Sequence, residues 1–385
     1  MRFPEQYLHL ATERGFTGVG LDRRFLELVR GAEGSAFMGG QGSLWQRTRG
    51  LYRLFREGLA INRQLVREQI ELLESRSFDR VIFHPKATFP FVWAARFPDR
   101  AVVLSPVPWV IHPVPGHAHL GFGWLGRLGG WRISYDLANF GLLQNILPPT
   151  KDYRRKYGIS SRDVKRAITG TRLLFNVSPA LLQPPADWPG HVKCFGFLRS
   201  ESTAEHPLPL TVEAFMDRHP RFVVITFGSM ANEDPAGKTE IVLRALERAG
   251  IAAIINEAGG GLREPREYDR ERILFTRQLA YDRVFPRASA IVHHGGAGTT
   301  QTGLFHGCPT MIVPHIIDQY AWNRLIAERG LGPAGPPVKA LDINSLSDRL
   351  TELAESEAYH RACEALAEQM RDESYREELD SFLAV

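Results

Sequence analysis

The residues best equipped for chemistry lie between Val292 and Gln319, in the run VHHGGAGTTQTGLFHGCPTMIVPHIIDQ. The apolar segment Ser289–Val292 reads as a buried strand and delivers His293 and His294 to its C-terminal end. Open α/β sheets bind ligands at that end. Gly295, Gly296 and Gly298 permit a tight turn and let the backbone come close to a ligand. Thr299 and Thr300 open the helix that follows. The first N–H groups of a helix have no internal partner, and the peptide dipoles place partial positive charge there. A phosphate fits such a site without a metal ion. A glycine turn taken alone is weak evidence for one.

The surroundings add to it. A second short strand, Thr310–Val313, is followed by the side-by-side pair Asp318 and Gln319. A carboxylate accepts hydrogen bonds, whereas a carboxamide accepts and donates, so together they suit a ring of hydroxyls. A diphosphate at the helix and a polyol at Asp318 and Gln319 describe a nucleotide sugar. The same two residues would also serve as caps for a helix starting near Tyr320, and the residues alone leave both readings open.

Alternating elements must position these groups. In the second half the segments Phe222–Ser229, Ile251–Ala258, Arg272–Arg277, Ser289–Gly296 and Thr310–His315 are near-continuous apolar runs. Helical patterns such as Thr239–Ala249 and Gly298–His306 lie between them. This alternation predicts a parallel sheet covered on both faces, a doubly wound, Rossmann-like α/β domain. The first half repeats it less cleanly, with strands expected at Gly15–Leu21, Asp79–Pro85, Arg100–Pro106 and Arg172–Ser178 and a long amphipathic helix over Leu51–Ser75. Glu201–Phe215, polar and proline-containing, reads as a linker. After Leu346 the chain reads as helical to its end.

Composition sets the bounds. A chain of 385 residues suits two domains. With 44% hydrophobic and 23% charged residues it has the make-up of a globular protein. No apolar run is long enough to span a membrane, and the start MRFPEQYLHLATERG lacks the pattern of a secretory signal. Cys194, Cys308 and Cys363 show no CxxC spacing, which argues against a disulfide framework or zinc site and fits a reducing cytoplasm. Up to Leu198 there are 27 Lys and Arg against 15 Asp and Glu, so the first half is basic and the second acidic. The densest basic part is Lys151, Arg154, Arg155, Lys156, Arg162, Lys165 and Arg166. It reads as a solvated helical face, and with no nucleic-acid motif beside it no nucleic-acid partner is expected. His119–Pro149, with Phe122, Trp124, Leu125, Leu128, Trp131 and Ile133, reads as core, as the lining of a greasy pocket, or as a surface peripheral to a membrane.

The run from His293 to Gln319 resembles the donor-binding signature of family 1 glycosyltransferases of the GT-B fold. Ser178–Leu198, Phe227–Pro235 and Val284–Thr300 are most similar to sterol 3-β-glucosyltransferases and their bacterial relatives. The resemblance implies two Rossmann-like domains facing across a cleft. Residues 1–198 would bind the acceptor, 199–217 would link, 218–356 would bind the nucleotide sugar, and helices 357–385 would pack back on the first domain. It places His294, Gly295, Gly296, Gly298, Thr299 and Thr300 on the donor diphosphate, Gly228 and Ser229 in the interdomain loop near the phosphates, and Asp318 and Gln319 on the sugar. Leu279–Asp282 would border the base, usually uracil, while His293 and His306 would be structural.

The implied reaction is inverting transfer of a hexose, by family habit glucose, from a UDP-sugar to a hydroxyl of a lipophilic, sterol-like alcohol. No metal or other cofactor is implied, because the helix terminus and His294 would balance the diphosphate. The family's general base sits on a glycine-rich turn after a first strand. That strand, turn and helix have no counterpart in this sequence, so the first domain is read as N-terminally truncated and the base is expected upstream of Met1. His9, on a helical pattern, does not replace it. A misassigned start, a decayed enzyme, and a non-catalytic nucleotide-sugar-binding protein or partner subunit are the open alternatives.

Overall fold

The computed structural model describes residues 2–4, 8–21, 61–126, 128–199, 208–230, 232 and 234–384. Two parallel sheets dominate it. The first contains β3 (Val81–Phe83), β4 (Ala101–Ser105), β5 (Arg172–Phe175) and β6 (Val192–Cys194), side by side in that order. A separate parallel pair joins β1 (Arg2–Pro4) to β2 (Val19–Leu21), and the strand at Arg2–Pro4 was not foreseen from its sequence. Of the long helix expected over 51–75, residues 61–74 are helical and the rest lies outside the described residues.

The second sheet has the order β11-β10-β7-β8-β9, all parallel. Its strands are β7 (Phe222–Thr226), β8 (Ala252–Asn256), β9 (Ile273–Thr276), β10 (Ala290–His293) and β11 (Thr310–Ile312). Every residue of β7, β8, β10 and β11 is buried, which explains why these runs are apolar without alternation. The chain builds outward from β7 through β8 to β9, then returns to the other side for β10 and β11. The strand order therefore reverses between β7 and β10. A crevice opens at such a switch point, outside the carboxyl ends of the two strands. The loops that follow β7 and β10 carry Gly228–Ser229 and His294–Gly296.

One expectation needs correction. The segment read as linker is partly a helix, Leu210–Arg218, which buries Val212, Phe215 and Met216 against Phe222, Val224 and Ile254 of the second sheet. Its proline-rich approach hid a short amphipathic pattern. Residues 200–207 of that segment lie outside the described residues.

A single apolar cluster runs through both halves. It joins Phe89, Trp109, Leu173 and Phe175 of the first half to Leu304, Trp322, Leu325, Cys363 and Met370 of the second. Trp109 and Trp322 meet edge to face, with ring centroids 5.0 Å apart. The last helices, Glu357–Asp372 and Arg376–Leu383, touch first-half residues. Arg172 donates to the carbonyl of Phe382, Ser178 Oγ bonds the Glu373 carboxylate, and the Tyr375 hydroxyl donates to the carbonyl of Phe197.

Close packing at the end of β11 yields a direct test. A Cβ at Gly335 would overlap the carbonyl oxygen of Ile312, whereas Gly170 has nothing within 4 Å. Backbone cannot yield as a side chain can. Gly335→Ala should lower unfolding stability by about 2 kcal/mol or more in urea titrations, and Gly170→Ala should leave the midpoint nearly unchanged.

Candidate active site

The turn after β10 is built on missing side chains. Gly295 has φ of 94°, and a Cβ there would meet Ile312 Cγ2 at 2.7 Å and Gln319 Cβ at 3.1 Å. The ring of His294 fills a slot between Gly228 and Gly296. A Cβ would stand 2.5 Å from His294 Cε1 at Gly228 and 2.6 Å from its Nε2 at Gly296. These glycines hold a histidine at the switch point, which is a more specific task than making a turn.

The helix Ala297–Phe305 starts at Gly296 with no side chain capping it. The amides of Ala297, Gly298 and Thr299 have no hydrogen-bond partner among the described residues. Nothing lies within 4 Å of a Cβ built on Gly298, so the first turn is open on that face. Three free N–H groups and the positive end of the dipole form an anion site. Thr300 stands apart from it. This residue is fully buried, and both its N–H and its hydroxyl bond the carbonyl of Gly296 at 2.9 Å. Its hydroxyl hydrogen is engaged within the helix, whereas Thr299 is half-buried beside the opening.

The histidines differ in role. His293 is completely buried, and its Nδ1 accepts the N–H of Gly295 at 3.0 Å, which shapes the turn. Burial holds its pKa well below the ordinary value, with the neighbouring His294 adding to the effect. Burial likewise pushes His294 down to about 4, helped by His315 and opposed by a hydrogen bond to the Thr226 backbone. His294 Nδ1 has no partner among the described residues. His306 is structural: its Nε2 lies 2.9 Å from Asp282, whose carboxylate also holds Arg199 at 2.7 Å.

Asp318 and Gln319 belong to the first turn of the helix Ile317–Glu328. Gln319 is buried, and its Oε1 accepts from the N–H groups of His315 at 2.7 Å and Ile316 at 3.1 Å. Its carbonyl is thus a cap. Asp318 is half-buried, and burial raises its pKa, while its own backbone N–H and Lys86 of the first half draw it back down. Lys86, on the loop after β3, is thus a first-half cation that acts electrostatically on Asp318. Ser229 is exposed, and the loop Gly259–Gly261 packs so tightly against Gly228–Met230 that a Cβ at Gly259 would stand 2.5 Å from Ser229 Cα. In the segment Leu279–Asp282, Tyr281 bonds Thr226 Oγ1 at 3.1 Å and Asn256 Nδ2 at 3.2 Å.

Three residues here escaped the sequence reading. His315 is buried with Nε2 unpartnered, and Phe227 lies edge-on to it at 4.8 Å. Lys86 sits in a stretch without a motif. Gln301 bonds the first half from within the helix Ala297–Phe305. Only the folded topology brings these residues to the glycine turn. Of the apolar stretch 119–149, Trp124, Leu128 and Phe140 are 60%, 74% and 61% exposed, together with Ile133 and Leu137. Among the described residues no cluster of His, Cys, Asp and Glu could hold a metal ion, and no helix is long and apolar enough to cross a membrane.

The buried histidines make stability depend on pH. His112, His119, His294 and His315 are all held at about 4 by burial, below the value near 6.5 of an unfolded chain. Between those values the unfolded state binds more protons, so stability is complete above about pH 6.5 and falls as pH drops toward 4. Urea midpoints should decrease over that window, and His315→Gln should flatten the decrease.

Comparison with known proteins agrees with the geometry. A family described as "Erythromycin biosynthesis protein CIII-like, C-terminal domain" matches residues 275–383. The sterol 3-beta-glucosyltransferase UGT80A2 of Arabidopsis thaliana is 32% identical over 254 residues, which are 63% of this chain and 39% of that protein. The sterol 3-beta-glucosyltransferase of Yarrowia lipolytica is 31% identical over 52% of this chain and 14% of its own length. The chain thus spans well under half the length of these curated relatives. Among solved structures, the calicheamicin glycosyltransferase CalG4 superposes with a TM-score of 0.67 at 19% identity, covering 99% of this chain and 90% of that one. The spinosyn rhamnosyltransferase SpnG, complexed with thymidine diphosphate, gives 0.61 at 17% identity, covering 99% and 90%. The chain thus has the GT-B fold of these glycosyltransferase structures, and over 63% of its length it is similar to a sterol 3-beta-glucosyltransferase.

Proposed function

We propose that the protein transfers a hexose, glucose being the first candidate, from a UDP-sugar to a hydroxyl of a lipophilic, sterol-like alcohol. The observation that carries this reading is the uncapped amino end of the helix Ala297–Phe305, with the His294 ring against Gly296 and Gln319 against Gly295. In this assignment the diphosphate sits on the amides of Ala297, Gly298 and Thr299, near Gly228 and Ser229. Gly295 and Gly296 make room for it, and Thr299 adds a hydroxyl. Asp318 accepts from sugar hydroxyls. Gln319 has only its amide hydrogens left to offer, since its carbonyl caps the helix. Thr300 acts through the helix backbone. A neighbour of the same fold is complexed with thymidine diphosphate, a nucleoside diphosphate of the same chemical class.

The acceptor oxygen forms a bond to the anomeric carbon as the bond to the diphosphate breaks. The acceptor proton passes to a general base, a role assigned to none of the described residues. Charge growing on the leaving diphosphate is met by groups already aimed at it, which lowers the barrier without reorganisation. No metal is assigned a part. The exposed apolar residues Trp124, Leu128, Ile133, Leu137 and Phe140 support a greasy acceptor or a membrane-peripheral position for it. The domain division, with residues 199–217 as the linker, belongs to this proposal, with acceptor and donor facing each other across the crevice.

His294 supplies a specific test. Its Nδ1 is buried and without a partner among the described residues, and an anionic oxygen placed there favours the doubly protonated ring. A bound diphosphate should raise the His294 pKa from about 4 and take up as much as one proton. Titrating UDP calorimetrically in two buffers of different ionisation heat should show this uptake, and His294→Asn should abolish it. Radiolabelled UDP-glucose offered with a sterol panel should give labelled product, which Asp318→Asn should cut by about 10-fold or more. UDP binding without transfer to any member of the panel would contradict the acceptor assignment.

A further inference from the structure

Gln301 lies one turn beyond the free amides of the helix Ala297–Phe305 and is buried. Its Nε2 donates to the carbonyl of Asn176 and its Oε1 accepts the N–H of Ser178, both at 2.9 Å. Asn176 and Ser178 follow β5 in the first half. One carboxamide thus satisfies a backbone acceptor and a backbone donor two residues apart, just past the end of β5. The same loop is fixed elsewhere. Asn176 Oδ1 accepts the N–H of Leu198 at 2.6 Å, the N–H of Ala180 bonds Glu373, and Arg329 donates to the carbonyl of Ala180 at 2.9 Å. Beside the apolar contacts of Leu304, Gln301 gives the phosphate-facing helix a pair of hydrogen bonds to the first half.

We propose that Gln301 is a positioning residue that couples occupancy of the anion site to the first half of the molecule. The inference rests on the donor reading above and deepens it. An anion on the amides of Ala297–Thr299 anchors the first turn of the helix. Opening the loop 176–182 away from that helix breaks two buried hydrogen bonds to Gln301. If opening the loop also loosens the helix, a bound nucleotide resists both events together. Ligand linkage limits the effect to a factor of about 100 at a hundredfold excess over Kd. Without the carboxamide, the loop retains its other attachments and the helix retains its free amides, so nucleotide binding survives and the coupling is lost.

Hydrogen exchange on the full chain, with and without saturating UDP, tests this. In the unaltered protein UDP should slow exchange across 176–182 by about 10-fold or more, within the limit set by linkage. In Gln301→Met, which keeps the shape and removes both polar atoms, UDP affinity should stay within about twofold while the slowing disappears. Gln301→Glu retains the acceptor for Ser178 and should show intermediate coupling, which provides the test if the methionine variant does not fold. A merely structural glutamine would, once removed, speed exchange equally with and without UDP. Undiminished UDP-dependent slowing in the variants would overturn the proposal, as would UDP binding to the unaltered chain with no response at 176–182. Failure of the unaltered chain to bind UDP would instead overturn the donor reading itself.

Discussion

The arrangement depends on a histidine ring seated where two residues have no side chain. His294 fits between Gly228 and Gly296, on loops that leave adjacent strands of one sheet. Their carboxyl ends diverge at the switch point between β7 and β10, so the ring closes the floor of a crevice the topology has already opened. Everything functional is referred to this floor. Gly295 turns the chain so that the helix Ala297–Phe305 presents its free amides there, and the missing Cβ of Gly295 lets Gln319 approach from the next helix. A methyl group at any of these three positions would displace a neighbour as well as the turn.

Desolvation gives the site its chemical character. Burial keeps His293, His294 and His315 neutral, so the floor carries little formal charge before a ligand arrives. Its attraction for anions then comes from oriented N–H groups and from a ring nitrogen without a partner. Such a site is preorganised, because its dipoles are fixed by the backbone. The seam between the halves holds this geometry rigid. Trp109 against Trp322, Gln301 against Asn176 and Ser178, and Glu373 against Ser178 all join the two halves.

Much of this was legible in the sequence, for a physical reason. Parallel strands buried on both faces must be apolar throughout, so β7, β8, β10 and β11 stood out as unbroken runs. The glycines after β10 stood out because few other structures need so many. What remained hidden depends on contacts between distant segments. Nothing near Gln301 says that it pairs with Asn176, which only the folded chain brings to it. The helix Leu210–Arg218 was read as linker because the prolines before it outweighed three apolar residues whose partners lie in another part of the chain. Gln319 drew a sugar-reading role from its type, while its position at the third residue of a helix also makes it a cap. Residue type indicated the chemistry available, and the fold determined which atoms were left free.

The central claim is that backbone amides and His294 hold a diphosphate without help from a metal ion. The most direct test compares UDP with uridine by calorimetry in the presence of a chelator. If the free amides of Ala297, Gly298 and Thr299 carry the binding, UDP should bind about 100-fold more tightly than uridine, a difference of about 3 kcal/mol, with or without the chelator. Equal affinity for the two ligands, or loss of UDP binding on chelation, would contradict the account.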